Sequence, residues 1–218
     1  RVILLCGLIM IMDGYDYTII NQAAPVIMKE WNIGTALFGP VFSAAFLGYL
    51  FGAIVFGTLS DRIGRKKTLI LASCVFSVGT LLAYFSHSIE SLIPIRIFTG
   101  FGIGGAVPCA ITLTSEYAPQ KGRGKYVSIM YSGFLIGIVF GGYAAGFLLR
   151  HLNWRWLFVV GFLAPVLAIL LVYFKLPESA RWLSARSTDE KKKASLVQII
   201  KRIQPGIAMD GNTQFVSP

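Results

Sequence analysis

Two acidic residues stand inside the apolar stretch that opens the chain. Asp13 and Asp16 lie three residues apart in the run LLCGLIMIMDGYDYTII, which is apolar enough to enter a bilayer. An ionised side chain inside a membrane helix costs at least about 2.5 kcal/mol on insertion scales. Positions i and i+3 share one face of a helix, so both carboxylates point to the same side. We therefore expect that side to face water or a polar partner, and to serve function.

A second group of charges lies in the segment GTLSDRIGRKKT, residues 57–68. Its candidate residues are two glycines, one acid and three bases: Gly57, Asp61, Arg62, Gly64, Arg65 and Lys66. The first glycine would let a helix end pack tightly, the acid would cap or pair at a helix terminus, and the second glycine would permit a turn. A generic basic loop explains the bases but not an acid and two glycines at these positions.

Six helix-length apolar runs must position these charges. The 218-residue chain is 55% hydrophobic and only 14% charged, with a mean hydropathy of +0.68, which is typical of membrane proteins rather than soluble ones. The runs lack the alternation of barrel strands, so the predicted class is an all-α membrane protein. Residues 1–175 are predicted to form a six-helix transmembrane bundle, with spans near 1–22, 37–58, 68–86, 92–114, 126–149 and 156–174.

The basic residues predict the orientation of this bundle. Most of the 20 lysines and arginines fall on one side of the membrane, whereas the other side has Lys29, Arg150 and Arg155, and Arg96 falls inside a span. By the positive-inside rule, the crowded side, with the amino terminus, is cytoplasmic. The net charge of +10 thus reflects the topology of a multi-pass inner-membrane protein. Its expected partner is the lipid bilayer, and no binding of nucleic acid is expected.

Residues 176–218 are predicted to form a cytoplasmic central loop. Ser187 and Glu190 fit a capping box, and apolar residues follow at helical spacing until Pro205, which predicts an amphipathic helix over about 188–203. That helix would rest on anionic headgroups or on the ends of the spans, or else serve as a solvated linker.

Other classes of function find no support in the sequence. GFGIGG, residues 100–105, has the letters of a dinucleotide-binding fingerprint but lies within a span, without the preceding strand that such a site requires. No phosphate-binding GKT or GKS and no paired nucleophile and base is present, so neither an ATP-driven pump nor an enzyme is expected. The three cysteines fall in spans without metal-ligand spacing, so neither a metal nor another cofactor is expected.

Three motifs, in order, resemble those of the major facilitator superfamily. They are GTLSDRIGRK at 57–66, RIFTGFGIGG at 96–105, and PESARWL at 177–183, where Ala180 replaces a proline. The resemblance implies a fold of twelve spans in two six-helix halves, each a 3+3 repeat. This chain would be a fragment, the amino-terminal half, with a truncated start and a missing carboxyl-terminal half.

The sequence further resembles the aromatic acid:proton symporters of that superfamily. The resemblance rests on DGYD at 13–16, FGPVFSAAF at 38–46 and TSEYAP at 114–119, and GFLIGIVFGG at 133–142 lacks the proline of the antiporter motif. It implies uptake of benzoate, hydroxybenzoate or protocatechuate, driven by the proton gradient through alternating access. A sugar, polyol or other organic-acid proton symporter remains the alternative.

The family's charged residues fall on Asp13, Asp16, Arg96 and Glu116. Asp16 and Arg96 share the outer half of the membrane, and the resemblance implies that the first and fourth helices both line the central cavity. We therefore expect an ion pair in which a substrate carboxylate competes for Arg96 and frees an acid to take a proton. Alternatively, Arg96 would be a hydrogen-bond hub for broken helix ends, with Asp13 capping such a break. Aromatic substrates would stack on tyrosines, for which the candidates are Tyr15, Tyr17 and Tyr131.

Glu116 lies about 30 Å beyond Arg96 along the same helix and cannot share its site. We expect Asp61, Arg65 and Glu116 to form a charge network that holds the inward gate and breaks when the transporter switches conformation. A static surface salt bridge is the alternative interpretation.

Overall fold

The computed structural model describes residues 1–184, which form seven α-helices. They are α1 (Val2–Glu30), α2 (Thr35–Ile63), α3 (Arg65–Tyr84), α4 (Ile89–Tyr117), α5 (Arg123–His151), α6 (Arg155–Lys175) and α7 (Ala180–Ser184). The first six are long and apolar enough to cross a membrane, which confirms the predicted six-span class. The amphipathic helix predicted over about 188–203 lies outside the described residues.

All six helices are longer than the predicted spans, and four of them are longer by at least five residues. α1, α2, α4 and α5 have 29 residues each, or about 43 Å at 1.5 Å per residue, against a hydrocarbon core of about 30 Å. In α1, Pro25 lies inside the helix, and the polar residues around it do not end it. α2 ends at Gly64, which has a φ of +105°, and α5 begins after Gly122, which has a φ of +93°.

Glycines set the closest helix contacts. α2 packs mainly on α4, and α5 packs mainly on α1. A Cβ added at Gly48 would overlap the backbone of Ile97 in α4, and one added at Gly137 would overlap the backbone of Ile11 in α1. Small residues permit such approach where no hydrophobic effect drives association. In a 3+3 repeat, α1 corresponds to α4 and α2 corresponds to α5. The contact of α5 with α1 therefore matches the contact of α2 with α4, as such a repeat requires.

Two apolar clusters fill the bundle and leave a polar layer between them. One cluster lies toward the end with the α2–α3 and α4–α5 connections, called the loop end, and contains Met10 and Leu69. The other lies toward the opposite, turn end and contains Ile19 and Ala83. In α1, α3 and α4 the positions between the clusters include buried polar residues, and these positions carry the candidate site.

The turn end is closed by a contact between α1 and α6, called the Glu30 clasp. The Glu30 carboxylate accepts a hydrogen bond from the Trp154 indole at 2.6 Å and pairs with the Arg155 guanidinium at 3.1 Å. Arg155 also stacks on the Trp154 ring, 4.4 Å from its centroid, in a cation–π contact. The clasp ties the end of α1 to the start of α6.

Candidate functional site

A buried ion pair joins α1 and α4 in the polar layer. Arg96 Nη2 donates to Asp16 Oδ2 at 3.1 Å, and the two side chains are only 5% and 2% exposed. Thr80 of α3 donates its hydroxyl hydrogen to the other carboxylate oxygen, Oδ1, at 3.0 Å. Desolvating two charges is costly, so such a pair needs good geometry and further hydrogen bonds. Asp16 has both, which matches the pairing expected from the sequence.

Arg96 keeps hydrogen-bonding capacity that the described chain does not use. Its Nε and Nη1 atoms are buried, and neither has a hydrogen-bond partner among the described residues. Leaving a buried donor unsatisfied costs about 1–3 kcal/mol. A hub for broken helix ends would donate these hydrogens to backbone carbonyls, and the structure shows no such bonds from the described chain. Two nitrogens of the guanidinium are therefore left without an acceptor in the described chain.

A cavity of about 250 Å³ opens beside this pair, between α1, α2, α4 and α5. Its charged lining residues are Asp13, Asp16 and Arg96, and its aromatic ones are Tyr17, Phe42, Phe46, Tyr49 and Phe134. Small-molecule sites typically combine mainly apolar walls with a few polar groups that fix orientation. The cavity has this composition, and the guanidinium is the one cationic group that residues 1–184 contribute to it.

Asp13 lies in the same cavity without a partner of its own. Its side chain is half-buried, and no residue within 1–184 hydrogen-bonds or ion-pairs with its carboxylate. α1 runs unbroken from Val2 to Glu30, so Asp13 does not cap a break in that helix. Asp16 is held by two donors, whereas Asp13 faces the cavity alone.

Of the three tyrosines proposed for stacking, the structure places one in the cavity. Tyr17 lines it and packs near Phe134, with ring centroids 5.9 Å apart. Tyr15 is buried elsewhere and donates to the Leu157 carbonyl at 3.2 Å, and Tyr131 is not among the lining residues. Tyr49, Phe42 and Phe46 of α2 line the cavity as well. The two phenylalanines belong to the FGPVFSAAF segment, whereas no motif in the sequence marked Tyr49.

The second charge group assembles at the loop end. Arg65 Nε lies 3.1 Å from Glu116 Oε1, and Arg65 Nη2 lies 3.6 Å from Asp61 Oδ1. The Asp61 side chain is 75% exposed, whereas that of Glu116 is 11% exposed. The structure therefore brings the three expected residues together, and the pair between Arg65 and Glu116 is the better shielded one.

The PESARWL segment packs onto this network, a contact that sequence reasoning missed. Glu178 Oε1 accepts the backbone N–H of Lys66 at 2.8 Å and so caps the start of α3. The Ser179 hydroxyl donates to the Glu116 carboxylate, and the Trp182 indole donates to the Asp61 carbonyl at 3.0 Å. The motif was recognisable as letters, but its docking depends on how α6 returns to the α2–α3 connection.

The remaining residues of the loop take different places. Gly64 is positioned against Glu178, whose Oε2 would lie 2.6 Å from an added Cβ, and its positive φ also favours glycine. The Lys66 ammonium donates to the Tyr173 carbonyl at 2.8 Å, and Arg62 is exposed. The tight packing expected at Gly57 is wrong for the described chain, because an added Cβ there meets nothing within 4 Å.

Comparison with known proteins identifies the family. The model of the Major Facilitator Superfamily matches residues 6–208. The chain therefore belongs to that superfamily of transport proteins, and it is a multi-pass membrane protein. The xylose transporter XylE of E. coli, in a partially occluded inward-open conformation, superposes with a TM-score of 0.80 at 22% identity over 91% of this chain and 53% of that one. This likeness confirms the predicted six-helix half of the superfamily fold.

The most similar curated relatives include transporters of aromatic acids. The 4-hydroxybenzoate transporter PcaK of Pseudomonas aeruginosa is 37% identical over 95% of this chain and 46% of its own length. PcaK of Acinetobacter baylyi is 38% identical over 99% of this chain and 46% of its own length. The gallate transporter of Pseudomonas putida is 37% identical over 89% of this chain and 43% of its own length. The chain thus spans about half the length of the curated relatives it matches.

Proposed function

We propose that this chain forms one half of a secondary active transporter that takes up aromatic acids together with protons by alternating access. The observation that carries the proposal is the Arg96 guanidinium, with two unpartnered nitrogens, beside an aromatic-walled cavity and two carboxylates. The named substrates of the relatives, 4-hydroxybenzoate and gallate, have the chemistry that this cavity fits. A second six-helix half would complete the cavity.

The substrate carboxylate binds Arg96 in this proposal, and the aromatic ring packs against the cavity walls. A carboxylate can accept an N–H group from Nη1 or from Nε, each of which needs a partner in any case. Tyr17, Tyr49 and Phe46 offer ring faces and edges for stacking. A sugar would find one guanidinium and few neutral hydrogen-bonding groups in this half of the cavity.

Competition for Arg96 couples the proton to the substrate. When a substrate anion shares the guanidinium, the attraction that keeps Asp16 ionised is divided between two carboxylates. A buried carboxylate that loses its cation takes up a proton, because desolvation disfavours its charged form. Asp13, which has no cationic partner among residues 1–184, is the second coupling group. Asp13→Asn and Asp16→Asn should each lower proton-driven accumulation, and full accumulation in both variants would remove the acids from the mechanism.

The loop-end network acts as the inward gate in this proposal. The chain lies in the inner membrane, and the loop end faces the cytoplasm, as the positive-inside rule predicts. Arg65 links α3 to α4 through Glu116, and the PESARWL segment ties both to the end of α6. Opening the cytoplasmic side requires these contacts to separate.

Uptake by cells that express the complete transporter tests the proposal. We expect labelled 4-hydroxybenzoate to accumulate, labelled glucose not to accumulate, and a protonophore to abolish the accumulation. Accumulation of glucose instead would favour the sugar-porter alternative. Uptake of 4-hydroxybenzoate that the protonophore leaves unchanged would contradict proton coupling.

A further inference from the structure

Thr80 reaches the ion pair from outside the cavity. It lies on α3, which contributes no residue to the cavity lining, and its side chain is fully buried. Its Oγ1 atom lies 3.0 Å from Asp16 Oδ1 and 3.1 Å from the backbone carbonyl oxygen of Phe76, one turn earlier on α3. Two acceptors therefore stand within reach of one hydroxyl group.

A threonine hydroxyl has one hydrogen to donate and also accepts hydrogen bonds. While Asp16 is ionised, the hydrogen goes to the carboxylate, because a bond to a charged acceptor is the stronger one. When Asp16 carries a proton on Oδ1, that O–H donates to Thr80 Oγ1, and the threonine hydrogen turns to the Phe76 carbonyl. By rotating about its C–O bond, the hydroxyl thus hydrogen-bonds with the buried acid in both protonation states. The covalent O–H bond of the threonine stays intact.

We infer that Thr80 is a positioning residue for proton coupling, which holds the Asp16 carboxyl group in both its charged and its neutral form. The inference rests on the proposed function and deepens it. The other charged groups at Asp16 are Arg96, which donates only to Oδ2, and Asp13, which cannot donate while ionised. Thr80 is therefore the only described residue outside α1 and α4 that responds to the proton on Asp16.

Thr99 offers a matched control. It is also a fully buried threonine, and its hydroxyl donates to the Ile95 carbonyl of its own helix at 2.9 Å. No carboxylate among residues 1–184 hydrogen-bonds with it. Thr80→Val and Thr99→Val each remove one buried hydroxyl and keep the side-chain shape. Thr80→Ser keeps a hydroxyl group at position 80.

The experiment measures two quantities in vesicles that contain the complete transporter. One is the accumulation of labelled 4-hydroxybenzoate driven by a pH gradient, and the other is exchange of labelled for unlabelled substrate at equal pH. We expect Thr80→Val to lower the accumulation ratio about tenfold, in line with the loss of one hydrogen bond to a charged group, while exchange stays within about twofold of the wild type. Thr80→Ser restores accumulation, and Thr99→Val matches the wild type.

Several results would overturn the inference. Wild-type accumulation by Thr80→Val would do so, as would an equal loss of accumulation and exchange, which indicates a packing role. Thr80→Ala, which adds no methyl group, provides the same comparison should the valine variant fold poorly. Absence of accumulation in the wild-type protein would instead overturn the proposed function, and this inference with it.

Discussion

Replacing Arg96 with lysine tests its ion pair with Asp16 and its proposed contact with the substrate separately. An ammonium group at this position can still pair with Asp16, which Arg96 contacts through Nη2 alone. Lysine has no counterpart of Nε and Nη1, the two buried nitrogens without a partner in the described chain. Arg96→Lys should therefore preserve the ion pair and lose the groups assigned to the substrate carboxylate.

The expected magnitude follows from the number of bonds lost. A hydrogen bond to a charged group contributes about 1.5–3 kcal/mol, and each 1.4 kcal/mol is tenfold in affinity. Losing one such bond should weaken 4-hydroxybenzoate binding roughly 10- to 100-fold. The free energy of unfolding should change little in Arg96→Lys. In Arg96→Gln, which leaves the Asp16 charge buried without a cation, it should fall by about 3–5 kcal/mol.

Substrate binding to the purified complete transporter, by calorimetry, and its thermal unfolding midpoint provide the two readouts. Arg155→Lys is the matched control, because it alters an arginine–carboxylate pair in the Glu30 clasp, outside the cavity. Arg96→Lys with wild-type affinity would refute the assignment of Arg96 to the substrate. An equal loss of affinity in Arg155→Lys would refute it as well.

Three further predictions concern packing and gating. Gly137→Ala should lower the free energy of unfolding by about 2 kcal/mol because the added methyl group overlaps the α1 backbone, whereas Gly142→Ala, which meets nothing within 4 Å in the described chain, should not. Thermal unfolding compares the two, and equal midpoints would contradict the close contact of α1 with α5. Arg65→Ala should raise the population of the inward-open conformation about fivefold, as expected for a partly shielded pair of about 1 kcal/mol, and an unchanged rate of substrate exchange would remove its gating role, with Lys67→Ala as control. Glu30→Gln should lower stability by about 1–2 kcal/mol by weakening the Glu30 clasp, and a thermal midpoint equal to the wild type would show that the clasp contributes nothing.

The parts of the fold and site that follow from sequence are those with a one-dimensional signal. The lengths of apolar runs predict six helices, because the bilayer requires about 20 residues for each span. Charges inside such runs are rare enough to mark a site. Depth along two helices, together with the family resemblance that brings both helices to one cavity, predicted the pair of Asp16 with Arg96. The family motifs likewise brought Arg65 and Glu116 to one end.

The missed features depend on how one helix is rotated against another. Thr80 is one hydroxyl in an apolar helix, and only the packing of α3 on α4 and α6 turns it toward Asp16. Tyr49 and Tyr131 look alike in the sequence, yet only the first lines the cavity. Glu178 reaches Lys66 because α6 ends beside the start of α3, a placement that no local pattern encodes. Helix ends were underestimated because apolarity stops at the headgroups, whereas backbone hydrogen bonding continues beyond them.

The central claim, that an aromatic anion and a proton cross together, is tested most directly by following protons while only the substrate gradient drives transport. Vesicles that contain the complete transporter would enclose a pH-sensitive dye, start at equal pH and have their membrane potential clamped. Adding 4-hydroxybenzoate outside should acidify the lumen faster than in protein-free vesicles, and Asp16→Asn should abolish the difference. Entry of labelled 4-hydroxybenzoate through the protein without this acidification would contradict the account.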